Sequence, residues 1–293
     1  MRVAVAGCGE VGLLFAGALK SGGHAVVLHD IIPSARALAF AEDAAVPLHT
    51  SAGPWLEDVD AAISCVVGSA SLAVARAAFQ FMPRGRVFAD STTCDPNEIR
   101  LAAGEAAEKG IDYADIAIMG AVSLTGMKTS LLCAGTGAAR VLPLFKSIGA
   151  PITVVEGGKA GDSSALKILR SVFAKGAEAL AIECFLAAEQ QGVTDQLYAT
   201  LKVFDESSLR DVLESYVRTH VVHAPRRLHE IEEAERQIRK ANLPVDVLPG
   251  VRALFERTCR YIREEPIGDI PGTAKEAFAW LASNAEREMA EAK

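Results

Sequence analysis

The chain has 293 residues, half of them hydrophobic, and a formal net charge of −7. That length carries a prior of about two domains, each able to bury a core, which excludes a disordered tail or a linker. The acidic balance gives no electrostatic reason to expect a phosphate-backbone partner, so nucleic acid is excluded as well.

Residues 2–6 are a short apolar run rich in valine, followed by glycines and by an apolar helical pattern from Val11 to Leu19. Gly22 and Gly23 then precede a second apolar run, Ala25 to Leu28. This spacing predicts strand, helix, strand. The alternation continues with a strand over 60–67, a helix over 71–81, a strand over 86–89 and a helix over 97–109. Strands over 112–118 and 131–134, a helix over 138–147 and a strand over 152–155 complete it. Such alternation predicts an α/β fold of the Rossmann type, a doubly wound, mostly parallel sheet covered on both faces.

After Val155 the texture changes. Gly157 to Gly161 reads as a loop, and beyond it helical patterns run to Lys293. The expected division is therefore 1–160 for a dinucleotide-binding domain and 161–293 for an all-helical substrate and dimerisation domain. Asp162 or Ser163 is a fitting N-cap and Gly192 a fitting stop. The helix between them, over 164–190, carries Leu166, Leu169, Val172, Phe173, Leu180, Ile182, Phe185 and Leu186 on almost every face. A helix apolar all round is buried all round, and a small helical domain can hardly cover it alone. A homodimer is expected on that ground. Lys167, Arg170, Lys175, Glu178 and Glu183 interrupt this stretch, whereas a membrane span needs roughly 20 mostly uncharged residues. From Thr273 onward the mixed acidic and basic pattern reads as a solvated amphipathic helix.

The six cysteines are far apart and form no C-x-x-C pair. That argues against a disulfide scaffold or a metal site and fits a reducing, cytoplasmic compartment. The first residues run straight into a glycine turn and leave no room for a signal h-region.

That turn reads Gly7-Cys8-Gly9-Glu10-Val11-Gly12, a G-x-G-x-x-G directly after a strand and opening a helix. Gly7 permits the tight turn, Gly9 lets a pyrophosphate approach the backbone, and Gly12 lets helix and strand pack closely. The N–H groups around Glu10 and Val11 and the positive end of the helix dipole suit phosphates. Asp30 ends the second strand at the spacing of a ribose-binding carboxylate. A carboxylate there accepts from ribose hydroxyls and repels a 2′-phosphate, so NAD is the expected cofactor. Val66, Val67 and Ser69 end the strand expected over 60–67, where a doubly wound sheet brings its cofactor to the strand ends.

Two further segments carry the chemistry. One is Asp90-Ser91-Thr92-Thr93-Cys94-Asp95-Pro96; the other is Gly158-x-x-Gly161-x-Ser163-x-x-x-Lys167. Together with the glycine turn they resemble the β-hydroxyacid dehydrogenases, the family that includes 3-hydroxyisobutyrate dehydrogenase and the N-terminal domain of 6-phosphogluconate dehydrogenase. The resemblance covers most of residues 1–190. The helical tail looks like a branch with its own C-terminal helical domain. The resemblance implies that Lys167 is the catalytic lysine and that Ser91 and Thr92 lie beside substrate and nicotinamide. A lysine can serve as general acid and base in hydride transfer if burial lowers its pKa towards neutral.

Three departures bear on the substrate, a small molecule. Where the family has a serine and glycine that hold a substrate carboxylate, this chain has Met119 and Gly120. Four residues after the lysine the family has asparagine, and here it is Ser171. The family's later Lys-Asp pair gives way to Arg227, His229 and Glu230. Methionine adds apolar surface and removes a hydroxyl, so the carboxylate anchor is weakened or moved, and Arg227 is a candidate replacement. These residues point to an NAD-dependent dehydrogenase acting on a secondary alcohol, a hydroxy acid or a related polar metabolite. An imine reductase on the same fold and a dinucleotide sensor without turnover are the alternatives. Lys167 speaks against the former, and positions 119 and 171 are the support for the latter.

Overall fold

Short, uninterrupted apolar runs suit strands that are covered on both faces, and here they assemble into one sheet. In the computed structural model, which describes residues 1–291, the elements in order are β1 (Arg2–Ala6), α1 (Glu10–Ser21), β2 (Ala25–His29), α2 (Ala35–Asp43), β3 (Leu48–His49), β4 (Ala61–Ser64) and α3 (Ser71–Phe79). They continue with β5 (Val87–Asp90), α4 (Pro96–Glu108), β6 (Asp112–Ile118), α5 (Val122–Thr125), β7 (Leu131–Ala134), α6 (Ala138–Ser147) and β8 (Ile152–Val154). The sheet order is β3-β2-β1-β4-β5-β6-β7-β8. Neighbours run parallel except β6 and β7. Those two are joined by α5 and a short loop, with no crossover helix to bring the chain back to the other end of the sheet.

Side-chain alternation along the strands divides the core into two layers. Val3, Val5, Ile63, Val87 and Ala89 pack with Leu13, Phe15, Leu19, Val141 and Phe145 from α1 and α6. Ala4, Ala62 and Phe88 face the other way and pack with Ala75, Phe79, Ile99 and Ala102 from α3 and α4. The sheet turns over between β1 and β4: β1 leads to the left half of the order, β4 to the right. The crevice at the carboxyl ends of these two strands is where a doubly wound sheet binds its ligand.

The structure differs from the sequence expectation in detail. The elements α2 and β3 carry little signal, because α2 buries only Ala37 and β3 is two residues long. The strand expected over 60–67 ends at Ser64. The Cys65 amide still donates to Ala6 at 2.7 Å, but Val67 is 70% exposed and a 3-10 turn over Gly68–Ala70 follows. A Cβ on Gly68 would lie 2.8 Å from the Thr93 carbonyl, so the turn is held close against the end of β5.

The described residues form two compact units, 1–172 and 173–291. Residues 161–172, assigned by the sequence reading to the second region, pack with the first. The helix α7 (Asp162–Gln190) begins in one unit and ends in the other. The second unit continues with α8 (Thr194–Leu201), α9 (Leu209–Lys240), α10 (Leu248–Glu264) and α11 (Ala274–Glu291), with α10 and α11 packed on α9. Glu183, on the last part of α7, is buried and accepts from the amides of Asp246, Val247 and Leu248 at 2.6, 2.7 and 3.1 Å. It thereby caps α10, whose own first residues supply no side-chain cap. The all-round burial expected of α7 is not met within one chain: Leu169, Val172 and Phe173 are 63%, 66% and 48% exposed. Among the described residues no helix is long and apolar enough to cross a membrane.

Candidate functional site

Two of the three glycines in the turn, Gly7 and Gly12, have no room for a side chain. Gly7 has φ +86°, and a Cβ there would lie 2.8 Å from the carbonyl of Cys65. A Cβ on Gly12 would come within 1.9 Å of the Gly7 oxygen, so α1 can start this close to β1 only with glycine at that position. At Gly9 a Cβ would meet nothing within 4 Å, so this backbone faces open space. Gly9 is the N-cap of α1 and provides no side-chain acceptor. The first N–H groups of a helix lack intrahelical partners, and those of Glu10, Val11 and Gly12 are therefore available to an anion.

The carboxylate of Asp30 is tied to this turn. Its two oxygens accept from the amides of Cys8 at 2.8 Å and Ile32 at 3.0 Å. The Gly7 amide donates to the carbonyl of His29 at 2.8 Å, which joins the end of β2 to the turn. Val66 touches the same turn, its Cγ1 lying 2.8 Å from a Cβ built on Gly7; Val67 and Ser69 are exposed on the loop that follows. Cys8, within the motif, has its thiol pushed up to about 12 by burial and by the neighbouring Asp30, so it stays neutral. The glycines, the helix start and Asp30 thus fit the pyrophosphate and ribose of a dinucleotide, with open space at Gly9 for its approach.

A second set of polar groups lies at the carboxyl ends of β5 and β6. Their parallel register sets Asp90 beside Asp115, and both are 0% exposed. Asp90 accepts from the Ser71 hydroxyl at 2.5 Å, the Tyr113 hydroxyl at 2.8 Å and the Thr92 amide at 2.9 Å. Burial pushes its carboxyl up, and these hydrogen bonds hold it down. Asp115 accepts from the amides of Gly161 and Ser164 at 3.0 and 3.1 Å and from the Ser164 hydroxyl at 2.7 Å. The Ser163 hydroxyl donates to the Asp115 carbonyl at 2.6 Å. One buried carboxylate therefore caps α7 and fixes its first turn to the sheet.

Lys167 lies on the next turn of α7. It is half-buried, and its Nζ donates to Thr93 Oγ1 at 2.6 Å. Burial lowers its pKa from the ordinary lysine value. Beside Thr93, the hydroxyls of Ser91 and Thr92 are buried without a hydrogen-bond partner among the described residues, as is that of Ser64 at the end of β4. Buried polar groups are normally satisfied, so orphaned hydroxyls next to a half-buried lysine mark a place suited to a polar ligand. Met119 and Gly120 continue from β6, and the Met119 carbonyl accepts from Arg170 Nη1 at 3.2 Å.

Of the residues singled out from sequence, Lys167, Ser91, Thr92, Met119 and Gly120 stand around the ends of β5 and β6. Ser171 is exposed on α7. Arg227 and His229 are in the second unit. Arg227 donates to Thr219 Oγ1 at 3.0 Å and lines a cavity of about 920 Å3 with Leu180, Tyr216, His220 and Phe255. The His229 side chain is 82% exposed, with its ring 3.4 Å from Glu232. Sequence reasoning missed Asp115, Thr93 and Arg170. The D-x-x-x-x-G spacing draws attention to Asp115 only once β6 is known to end beside α7.

Comparison with known proteins follows the same division. The family model described as the NAD binding domain of 6-phosphogluconate dehydrogenase matches residues 2–157. A domain of unknown function, DUF1932, matches residues 188–258. An uncharacterized 28.5 kDa protein in the 7S RNA 5′ region of Methanothermus fervidus is 31% identical over 144 residues, 49% of this chain and 55% of its own length. The chain thus spans little more than half of that curated relative. A conserved protein of unknown function, whose structure is described as similar to 3-hydroxyacid dehydrogenases, aligns with TM-score 0.64 and 27% identity. That alignment covers 89% of this chain and 97% of the other. An imine reductase variant from Myxococcus stipitatus, in complex with NAD+, shares the fold with TM-score 0.72 at 17% identity, over 94% of this chain and 99% of its own.

Proposed function

The chain belongs to the family of the NAD binding domain of 6-phosphogluconate dehydrogenase, and from that premise we propose that it is an NAD-dependent oxidoreductase acting on a secondary alcohol or its carbonyl, a hydroxy acid or related polar metabolite. The observation that carries this reading is the placement of Lys167: half-buried, with its pKa lowered by burial, and donating to Thr93 beside two orphaned hydroxyls.

Bound at the glycine turn, the nicotinamide cofactor supplies the hydride acceptor or donor. Gly7, Gly9 and Gly12 give its pyrophosphate access to the start of α1, with Glu10 and Val11 as amide donors and Val66, Val67 and Ser69 along the facing loop. Asp30, held by two backbone amides, accepts from the ribose hydroxyls and disfavours a 2′-phosphate, which supports NAD over NADP. Ser91 and Thr92 offer their hydroxyls to the substrate oxygen. Lys167 in its neutral form takes the proton from the carbinol hydroxyl as the hydride leaves carbon. In the reverse direction its ammonium gives that proton to the carbonyl oxygen. Burial serves both directions by bringing the two forms of the amine closer in energy near neutral pH. Asp115 does not touch substrate; it positions the lysine by fixing the first turn of α7.

The exposed apolar residues of α7, Leu169, Val172 and Phe173, support a homodimer in which a second copy covers them. Sedimentation at micromolar concentration is expected to give twice the chain mass, and a monomer at that concentration removes this part of the reading.

The catalytic assignment is tested with Lys167→Met. General acid–base assistance is typically worth about 10²–10⁴-fold, so turnover on a panel of hydroxy acids and their oxo partners is expected to fall by that order. NADH affinity, measured by nicotinamide fluorescence, is expected to stay unchanged. A variant turning over at near-normal rate sinks the role of Lys167.

A further inference from the structure

We propose that Arg170, on α7, is the residue that holds a substrate carboxylate, in place of the β6–α5 segment where Met119 stands. This rests on the dehydrogenase reading above and names a specificity residue for it.

Arg170 follows Lys167 by three positions on one helix, and residues at that spacing lie on the same face with Cβ atoms about 5–6 Å apart. The two side chains reach neighbouring strand ends: Lys167 to Thr93 after β5 at 2.6 Å, Arg170 to the Met119 carbonyl after β6 at 3.2 Å. The α7 face above β5 and β6 therefore presents two cations side by side. Among the described residues neither meets a carboxylate within ion-pair distance, while the two acids beneath them are committed: Asp90 to Ser71, Thr92 and Tyr113, Asp115 to the cap of α7. The Arg170 guanidinium spends one N–H on the Met119 carbonyl and keeps the rest of its fork for a planar anion. Met119 itself presents a thioether, which cannot donate to a carboxylate. The Met119 backbone and the guanidinium thus exchange roles: the β6 end orients the arginine, and the arginine binds the acid.

The ligand class that follows is a hydroxy acid, its carbinol oxygen at Lys167 and its carboxylate at Arg170.

The test uses full-length enzyme with NAD and hydroxy acids of three to six carbons, each paired with its own primary amide. Wild type is expected to prefer the acid of each pair. In Arg170→Gln the KM for the acid is expected to rise about 10- to 100-fold, the range for losing a hydrogen-bonded charged partner, with kcat and NADH affinity little changed and the preference over the amide gone. Arg170→Lys keeps the charge without the fork and is expected to recover only part of the loss. Wild type using amides as well as acids, or Arg170→Gln keeping the acid preference, overturns the assignment. If wild type turns over neither, the dehydrogenase reading fails and the anchor is read from binding alone. Hydroxy-acid quenching of the enzyme–NADH fluorescence that Arg170→Gln abolishes still supports the anchor; no such quenching in wild type, or equal quenching in both, overturns it.

Discussion

Each unit contains a buried carboxylate that caps a helix far away in sequence, and the two serve different ends. In the first unit Asp115 accepts from Gly161 and Ser164 and so starts α7. In the second, Glu183 accepts from Asp246, Val247 and Leu248 and so starts α10. The surroundings differ. Around Asp115 stand Asp90, two orphaned hydroxyls and a lysine whose pKa burial has lowered. In the second unit exposed charge pairs lie along α9, such as Arg226 with Glu230 and Arg210 with Glu214. Burying polar groups costs stability unless they are fully paired. Several buried hydroxyls left without partners beside one buried cap suit a polar ligand, whereas exposed i,i+4 pairs mainly solvate a helix.

The sharpest way to break this comparison is to remove the cap. Asp115→Ala leaves buried amides of Gly161 and Ser164 without acceptors. Lost capping costs about 0.5–2 kcal/mol and an unsatisfied buried donor about 1–3 kcal/mol, so a loss of about 2–4 kcal/mol is expected in chemical denaturation. Turnover is expected to fall further than the residual folded fraction explains, since Lys167 loses its fixed base. A stability loss with normal turnover per folded molecule shows that the cap does not position the lysine. Next in size is Asp30→Ala. Wild type is expected to bind NADH at least about tenfold tighter than NADPH, equivalent to roughly 1.4 kcal/mol, and the substitution is expected to narrow that gap in fluorescence titrations. Equal affinities in wild type refute the ribose role of Asp30. Smallest is Arg226→Ala in the second unit. Exposed i,i+4 pairs contribute only about 0.3–0.5 kcal/mol, so the denaturation midpoint should barely move, and a large shift contradicts the contrast between the two units.

Much of the first unit was legible because its signals are local. The glycine turn, Asp30 and the strand–helix alternation each depend on residues near one another in the chain. What escaped depends on register and distance. Asp115 meets Gly161 and Ser164 across 46 and 49 positions, and no spacing within β6 announces that. The elements α2 and β3 escaped because they bury almost nothing of their own. In the second unit helical periodicity located the helices but not their contacts. Arg227 and His229 sit two residues apart on α9, yet one bonds Thr219 and lines a cavity while the other lies in solvent. The apolar pattern of α7 was plain in sequence. Its exposure from Leu166 to Ile182 shows that periodicity reports how much apolar surface a helix has, not what covers it.

The measurement that tests the central claim most directly is the pH dependence of kcat/KM for NAD-linked alcohol oxidation, in wild type and in Lys167→Met. Because burial lowers the pKa of Lys167, the neutral amine that oxidation needs is populated below the ordinary lysine range. Wild type should therefore gain rate with pH along a limb whose midpoint lies below the ordinary lysine value, with carbonyl reduction losing rate over the same window. Lys167→Met should lack that limb and run about 10²–10⁴-fold slower. The same limb at the same height in the methionine variant would contradict the assignment of Lys167 as the acid–base group.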